Sequence, residues 1–290
     1  MCDKMKKYLI FTVASLLLMP SCLTKKEKPG ELTRTSGEVK LVTLDPGHFH
    51  AALVQKNSYK QVADEVYVYA PEGDDVQEHL NKINGYNTRT DSPTKWKEVV
   101  YLGSDFLEKM LSEKKGNVMI TAGNNGKKTE YIKQTLMAGI HVLADKPMAI
   151  NSENFGLLKE CFDIARGKGI LLYDIMTERH EITTVLQREL SCIPAVYGEQ
   201  LKGTPEEPAI VKESVHHFFK VVSGTPLKRP AWFFDVNQQG EGIVDVTTHL
   251  VDLVQWEAFP EQVIDYTQDI ELLDANRWTT SISPEEFKQV

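Results

Sequence analysis

The sequence predicts an α/β protein, with a doubly wound parallel sheet followed by an α+β domain that has a mostly antiparallel open sheet. Short apolar runs alternate with helical patterns from Val39 to about residue 175, which is typical of βαβ units. The first two apolar runs begin about 25 residues apart, the spacing of a normal βαβ repeat. After residue 175 this regular alternation is lost, and that change predicts the second domain.

Six apolar runs are predicted to be the strands of the parallel sheet: Lys40–Leu44, Glu65–Tyr69, Glu98–Tyr101, Asn117–Thr121, His141–Ala144 and Gly169–Tyr173. Helical periodicity between them predicts five helices: Phe49–Lys56, Val76–Ile83, Ser104–Lys114, Thr129–Ala138 and Ser152–Arg166. Right-handed crossovers then place helices on both faces of the sheet. Such sheets bind ligands at the carboxyl ends of their strands.

Beyond residue 175 the predicted elements are helices at Ile182–Leu190 and Asp245–Phe259, and strand-like runs at 194–203, 209–222 and 262–273. Strands joined without crossover helices predict an antiparallel sheet. The final residues, "SPEEFKQV", begin another helical pattern. We therefore expect this second domain to be incomplete.

The first 22 residues have the layout of a secretory signal: a start with three lysines, an apolar run from Tyr8 to Leu18, and Cys22 after "LMPS". The apolar run is too short to span a bilayer. Ser21 directly before Cys22 resembles a bacterial lipobox, which predicts a lipidated cysteine; an ordinary signal peptide is the alternative. Residues 23–38 are polar, as in a tether. We expect a lipoprotein of the cell envelope, on the periplasmic side or in the outer membrane, that meets the membrane only through its lipid anchor.

The composition argues against two classes of protein. The formal net charge is −8, which does not favour a nucleic-acid partner. Beyond the export segment the cysteines are Cys161 and Cys192, which are too few for a disulfide framework and lack the spacing of a zinc knuckle. No metal site is predicted.

Two motifs carry a family resemblance. Asp145, Lys146 and Pro147 in "GIHVLADKPMAI" follow the fifth predicted strand, and "GIVDVTTHLVDLVQW" places Asp245 and His249 one helical turn apart. In this order and spacing they resemble the Gfo/Idh/MocA oxidoreductases, in the lipoprotein form found in Bacteroidetes, over roughly residues 39 to 275. The family has glutamate where this chain has Asp145.

The resemblance implies a Rossmann dinucleotide-binding domain and a substrate domain, NAD or NADP as cofactor, a sugar or polyol as substrate, and a possible homo-oligomer. The expected division is a signal segment, a tether, a Rossmann domain and an incomplete substrate domain: 1–22, 23–38, 39–150 and 151–290.

The catalytic residues that these motifs predict are Lys146, Asp245 and His249. Histidine, with an ordinary pKa near 6.5, suits a base that removes a hydroxyl proton. Asp245 shares one helix face with His249 and can orient it or hold a substrate hydroxyl. Lys146 can donate a hydrogen bond to the developing alkoxide. Each also has a structural interpretation: a surface lysine, a carboxylate at a helix start and a histidine in an amphipathic helix.

Further residues are predicted to contact the substrate. Arg179 in "MTERHE" aligns loosely with an arginine that opens a helix in the family, although a solvated helix start explains it equally. Asp252 follows the second motif in the same predicted helix.

The loop after the first strand, "LDPGHFHAAL", departs from the glycine-rich phosphate loop. Asp45 stands at the first glycine position and His50 at the third, and Gly47 alone keeps the second. Asp45, Gly47, His48 and Phe49 are the predicted cofactor-binding residues here. Glu72 or Asp74 is expected to hold the adenine ribose.

The loop after the fourth strand, "TAGNNGKKTE", also departs from the family, which often has Pro-Asn-x-x-His here. Asn124, Asn125 and Lys128 are predicted to contact the cofactor. Lys127 and Lys128 together are expected to offset the charge of Asp45 near the phosphates. Asp145 and Pro147 complete the predicted cofactor-binding set.

Three alternatives stay open. A glycosidase on the same fold would use tightly held NAD for a transient oxidation of the sugar. A metal-dependent hydrolase would use His48 and His50 as ligands, with Asp245 or His249 completing the site. The third is a carbohydrate-binding lipoprotein without catalysis.

Overall fold

The computed structural model describes residues 35–214, 219–222 and 225–289. Its main feature is a parallel sheet of six strands in the order β3-β2-β1-β4-β5-β6. The strands are β1 Leu41–Leu44, β2 Glu65–Ala70, β3 Lys97–Leu102, β4 Val118–Thr121, β5 His141–Asp145 and β6 Leu172–Ile175. All six overlap the predicted runs, so the doubly wound sheet is confirmed. The sheet continues past the predicted domain boundary at residue 150.

The crossover helices are α1 His50–Leu53, α2 Asp74–Thr88, α3 Phe106–Glu113, α4 Asn125–Met137 and α5 Ser152–Lys168. Each overlaps its predicted helix. The first is a single turn, shorter than the predicted Phe49–Lys56. Gly139 follows α4 with φ of 84°, the left-handed conformation that ends many helices.

Both faces of the sheet are buried, as expected when helices cover both. Val42 and Leu44 pack in a core with α3, α4 and α5, whereas Leu41 packs in a second core with Ala51 and Ala52 of α1 and with α2. The alternation follows from the two-residue period of a strand. It fixes the register, since a one-residue slip would exchange the two faces.

The strand order reverses between β1 and β4, which pair along their full length from Leu41–Val118 to Leu44–Thr121. Connections leave these two strands towards opposite edges, so a crevice opens at their carboxyl ends. The loops after them touch at Gly47 and Gly123. A Cβ on Gly123, where φ is 108°, would lie 2.6 Å from Cα of Gly47. Only glycine allows this approach.

After β6, most of the regular secondary structure in the described chain is helical. The helices are α6 Ile182–Ser191, α7 Pro194–Tyr197, α8 Val236–Gln239, α9 Gly242–Ala258 and α10 Pro284–Phe287. Two 3₁₀ turns, Thr177–His180 and Ala231–Phe234, precede α6 and α8. The helices predicted at Ile182–Leu190 and Asp245–Phe259 are confirmed as α6 and α9.

The expected open antiparallel sheet is not found in the described residues. They contain one antiparallel ribbon, β7 Val221–Val222 with β8 Thr225–Pro226. Residues 194–197 form a helix, and residues 262–273 form no strand. A strand-like pattern gives a strand only where a neighbour accepts its backbone hydrogen bonds. Val263, Leu272 and Leu273 are instead largely exposed.

The predicted signal segment and its lipobox Cys22 lie outside the described residues. The two other cysteines beyond that segment, Cys161 and Cys192, are free thiols. Within the described ranges no helix combines the length and apolar character needed to cross a bilayer.

The buried His79 of α2 makes the stability of the fold depend on pH. It is buried, and neither ring nitrogen has a hydrogen-bond partner among the described residues. Burial, with a smaller effect from Lys82, lowers the pKa of His79 to about 4. The unfolded chain therefore binds more protons than the folded chain between about pH 4 and 6.5, and the free energy of unfolding falls as the pH drops through that window.

We expect His79→Leu to reduce this pH dependence. The slope of the free energy of unfolding between pH 4.5 and 6 should decrease by up to about 1.4 kcal/mol per pH unit, the value for one proton. Urea unfolding at a series of pH values measures it. His180→Leu, at an exposed position, is the control. An unchanged slope in His79→Leu would contradict the assignment.

Candidate active site

Lys146 and Asp245 meet at the carboxyl end of β5. Lys146 follows the last residue of β5, and Asp245 lies in the first turn of α9. The ammonium donates to Asp245 Oδ1 at 2.9 Å and to the Asp245 carbonyl oxygen at 2.6 Å. The two side chains are 9% and 14% exposed, so water screens the pair weakly. Two motifs that lie a hundred positions apart in the chain thus form one contact.

His249 lies one turn further along α9, on the face that carries Asp245. Burial, with a smaller effect from the charge of Lys146, lowers the pKa of His249 to about 4. The ring is therefore neutral at pH 7. Its Nδ1 atom is buried and has no partner among the described residues. An unpaired ring nitrogen beside an ammonium group is suited to receive a hydroxyl group.

His48 and His50 converge on the Asp145 carboxylate. His48 Nδ1 lies 3.1 Å from Oδ2, and His50 Nδ1 lies 2.9 Å from Oδ1. The two rings meet edge to face at 4.2 Å between centroids.

The negative charge of this cluster lies on the Asp145 carboxylate. Burial disfavours the carboxylate, but the hydrogen bonds of His48 and His50 outweigh it and keep the pKa of Asp145 below its ordinary value. Burial lowers the pKa of His48 to about 4 despite the neighbouring carboxylate. At neutral pH the cluster therefore holds an ionised Asp145 and a neutral His48 ring. Asp145 is thus already hydrogen-bonded by protein groups.

Lys128 does not face a phosphate site. Its ammonium is fully buried and donates to Asn125 Oδ1 at 2.5 Å and to the carbonyl oxygens of Asp145 and Pro147 at 3.1 and 3.2 Å. These carbonyls flank Lys146. Burial lowers the pKa of Lys128 to about 8. Lys128 therefore holds the turn that presents Lys146, and its predicted role beside the cofactor phosphates is wrong.

Asn125 extends this network into the second half of the chain. Its side-chain amide donates to the carbonyl oxygen of Gln239 at 2.9 Å and to Gln239 Oε1 at 3.0 Å. Gln239 is the last residue of α8, three residues before α9 begins. The chain of contacts from the Lys146 turn through Lys128 and Asn125 therefore ends beside the helix that carries Asp245 and His249.

Asp45 lies at the end of β1 but is bound by neighbouring side chains. Its Oδ2 accepts hydrogen bonds from Asn124 Nδ2 and from the Tyr131 hydroxyl, both at 3.1 Å. Burial raises its pKa. Its φ of 46° is in the left-handed region, which glycine adopts freely and aspartate tolerates. This is the position where the phosphate loop has its first glycine.

Two backbone N–H groups of the loop at Gly47 already have hydrogen-bond partners within the protein. The N–H groups of Gly47 and His48 both donate to the Ala122 carbonyl oxygen, at 2.8 and 3.0 Å. The Trp232 ring lies so close that a Cβ on Gly47 would be 3.0 Å from it. Trp232 Nε1 donates to Asp75 Oδ2 at 2.8 Å. Of the acidic residues after β2, Asp75 is therefore the one that faces Gly47, rather than Glu72 or Asp74.

The remaining predicted residues have internal partners. Phe49 precedes α1, and its ring lies 4.5 Å from those of His48 and His50. Arg179 Nε donates to Asp252 Oδ2 at 2.7 Å, and a second Arg179 nitrogen reaches the other carboxylate oxygen. This bidentate pair fixes the 3₁₀ turn before α6 against α9. The structure does not show either group free to bind a substrate.

Sequence reasoning missed Gln239, Trp232 and Asp75 as residues of the crevice, and it named His50 only as a metal ligand in one of the alternatives. His50 had a signal, since it stands at a glycine position of the phosphate loop. Trp232 and Gln239 had none, because they reach the crevice through packing of a segment far along the chain.

Two family profiles match the chain in sequence order. The Gfo/Idh/MocA profile, described as "Oxidoreductase family, NAD-binding Rossmann fold", matches residues 48–173. The profile described as "Putative oxidoreductase C terminal domain" matches residues 186–290. The chain belongs to the Gfo/Idh/MocA oxidoreductase family. A search of curated proteins gave no match.

Several solved structures are similar to this chain. A putative oxidoreductase from Parabacteroides merdae is 78% identical, with a TM-score of 0.82; the match covers 88% of this chain and 58% of that one. A putative oxidoreductase from Thermotoga maritima is 16% identical (TM-score 0.53), covering 75% and 58%. GenD2 from gentamicin A biosynthesis, in complex with NAD, is 15% identical (TM-score 0.50), covering 79% and 57%. The last two show the fold alone.

The crevice of this Gfo/Idh/MocA chain fits a nicotinamide dinucleotide. Gly47 brings main chain without a Cβ to its edge, and the buried Asn124 Oδ1 and His249 Nδ1 atoms have no partner among the described residues. Gly47, Asn124 and Asp75 would hold the cofactor. The indole of Trp232 covers Gly47, so the cofactor would have to contact or displace it.

We expect Lys128→Met to destabilise the fold by roughly 2–5 kcal/mol, because it leaves Asn125 Oδ1 and two carbonyl oxygens without their donor. Lys127→Met is the matched control. Lys127 is exposed, and its loss should change stability by no more than about 0.5 kcal/mol. Urea unfolding of both variants measures the difference. Equal unfolding midpoints would show that the buried ammonium contributes nothing.

Proposed function

We propose that this protein is an NAD(P)-dependent oxidoreductase that acts on a hydroxyl group of a sugar or polyol by hydride transfer. The observation that carries the proposal is the contact of Lys146 with Asp245 at the carboxyl end of the sheet. His249 lies one turn further along the same helix, its Nδ1 is unpaired among the described residues, and the charge of Lys146 acts on it. The chain spans 58% of the length of the Parabacteroides merdae protein. The activity of the whole protein therefore stands as a proposal.

Lys146 would bind the oxygen of the reacting hydroxyl group. Its three N–H bonds allow it to keep the contact with Asp245 and still donate to a substrate oxygen. As the hydroxyl proton leaves, the ammonium stabilises the alkoxide, and the weak solvent screening around it strengthens this effect. Asp245 fixes the ammonium in place. NAD(P), when bound, supplies the hydride acceptor.

His249 would take the hydroxyl proton at Nδ1. The ring is neutral at pH 7, so Nδ1 can accept a hydrogen bond when the ring proton sits on Nε2. The charge of Lys146 disfavours the protonated ring. A base with a pKa of about 4 accepts a hydroxyl proton with little driving force, and stabilisation of the alkoxide by Lys146 offsets this. The ring would then lose the proton to solvent before the next turnover.

The exported location is part of the same proposal. It rests on the signal-like first 22 residues, and lipidation of Cys22 would tether the enzyme to the cell envelope. The possible homo-oligomer also stays a prediction.

We expect Lys146→Met and His249→Asn each to lower kcat at least 100-fold in an assay of NADH formation with a panel of aldoses and polyols. His180→Gln, at an exposed histidine, should keep wild-type activity. The kcat/KM of the wild type should fall as the pH approaches 4, where His249 becomes protonated. Undiminished turnover in both variants would overturn the assigned roles.

Trp232 offers a direct test of cofactor binding. Titration with NAD⁺ or NADP⁺ should change the tryptophan fluorescence, because the cofactor must contact the indole that covers Gly47. Trp232→Phe should lose most of this change. Trp278→Phe, at a position that is 79% exposed, should retain it. No change in the wild type at millimolar cofactor would refute cofactor binding in this crevice.

A further inference from the structure

We propose that His48, His50 and Asp145 form a binding site for one divalent transition-metal ion of the zinc class. The three side chains offer the nitrogen and oxygen ligands that such ions take. Their ligand atoms all lie within 4.8 Å of one another. This inference does not depend on the proposed redox function.

The spacing of the ligand atoms is close to that of a coordination shell. His48 Nδ1 and His50 Nδ1 lie 3.1 and 2.9 Å from the two Asp145 oxygens. Ligands bound tetrahedrally at about 2.0–2.1 Å are roughly 3.3–3.4 Å apart. A shift of a few tenths of an ångström at each ligand would admit the ion. To bind the ion through Nδ1, each ring must carry its proton on Nε2.

The ligands are held in place by the protein. Asp145 ends β5, and its carbonyl oxygen accepts from the buried Lys128 ammonium. His50 opens α1 and is buried, while the Phe49 ring packs against both histidine rings. Ligands fixed by such second contacts lose little freedom when an ion binds.

Access and charge also suit an ion. The His48 side chain is 21% exposed, which gives the ion a path from solvent. The Lys146 ammonium would repel a cation, but Asp245 pairs with it at 2.9 Å. The Asp145 carboxylate then supplies net negative charge at the site. Three protein ligands leave a fourth position open, as in catalytic rather than structural zinc sites.

The third ligand of this site differs from the one expected from the sequence. The metal-dependent alternative had Asp245 or His249 as the ligand beside His48 and His50. In the structure Asp145 takes that position, and Asp245 is bound to Lys146. The proposed ion would therefore lie beside the predicted catalytic lysine without using its partner as a ligand.

Metal titration without NAD(P) tests the site. Protein freed of metal by chelator and dialysis is titrated with Zn²⁺ by calorimetry, and with Co²⁺ by visible absorption, which reports tetrahedral coordination. We expect one ion per chain, with affinity reduced at least tenfold in His48→Gln, His50→Gln and Asp145→Asn. His180→Gln, a surface histidine, should bind as the wild type does.

Two results would overturn the proposal: no binding by the folded wild type, or binding that is unchanged in His48→Gln. Circular dichroism of the metal-free variants verifies their folding. Should a variant at the buried His50 or Asp145 fail to fold, the part-exposed His48 still decides the question. Because no nucleotide is present, failure here leaves the redox proposal standing, and loss of NAD(P) binding alone leaves the metal site standing.

Discussion

The buried ammonium of Lys128 is the contact on which the site depends. It donates to the two carbonyl oxygens that flank Lys146, so it fixes the turn at residues 145–147. From this turn the Asp145 side chain binds His48 and His50, and the Lys146 side chain binds Asp245. The turn also ends β5 at its carboxyl end. A buried charge is costly unless it is fully hydrogen-bonded. Lys128 meets that condition with Asn125, whose amide joins the same turn to Gln239.

The sheet could be predicted because its information is local. Val42 and Leu44 alternate with Leu41 and Thr43 between two covered faces, which gives an unbroken apolar run in the sequence. Lys146 and Asp245 could be predicted as partners because each lies in a short motif next to a predicted element boundary. The parallel topology then brings the carboxyl end of β5 to the crevice.

The sequence could not show the role of Lys128 or the absence of a second open sheet from the described residues. A lysine in a helix is usually solvated, and only the packing of the 145–147 turn onto α4 reveals that this one is buried. Residues 262–273 have a strand pattern, but a strand requires a partner, and none lies beside them in the described chain. His48 and His50 converge on Asp145, which follows them by almost a hundred positions, so local sequence patterns could not indicate this contact.

Burial and nearby positive charge explain why His48 and His249 stay neutral at pH 7. Lys128 and Lys146 bring positive charge to the crevice, and Asp145 and Asp245 bring negative charge, all with little access to water. Arg229 adds a further positive charge that interacts with Asp245. Burial and the charge of Lys146 therefore hold the pKa of His249 far below its ordinary value. The same environment makes His249 a weak base that does not retain a proton at neutral pH. Lys146 uses two hydrogen bonds on Asp245 and keeps a third N–H bond for a ligand, so it is the group that would hold an oxyanion.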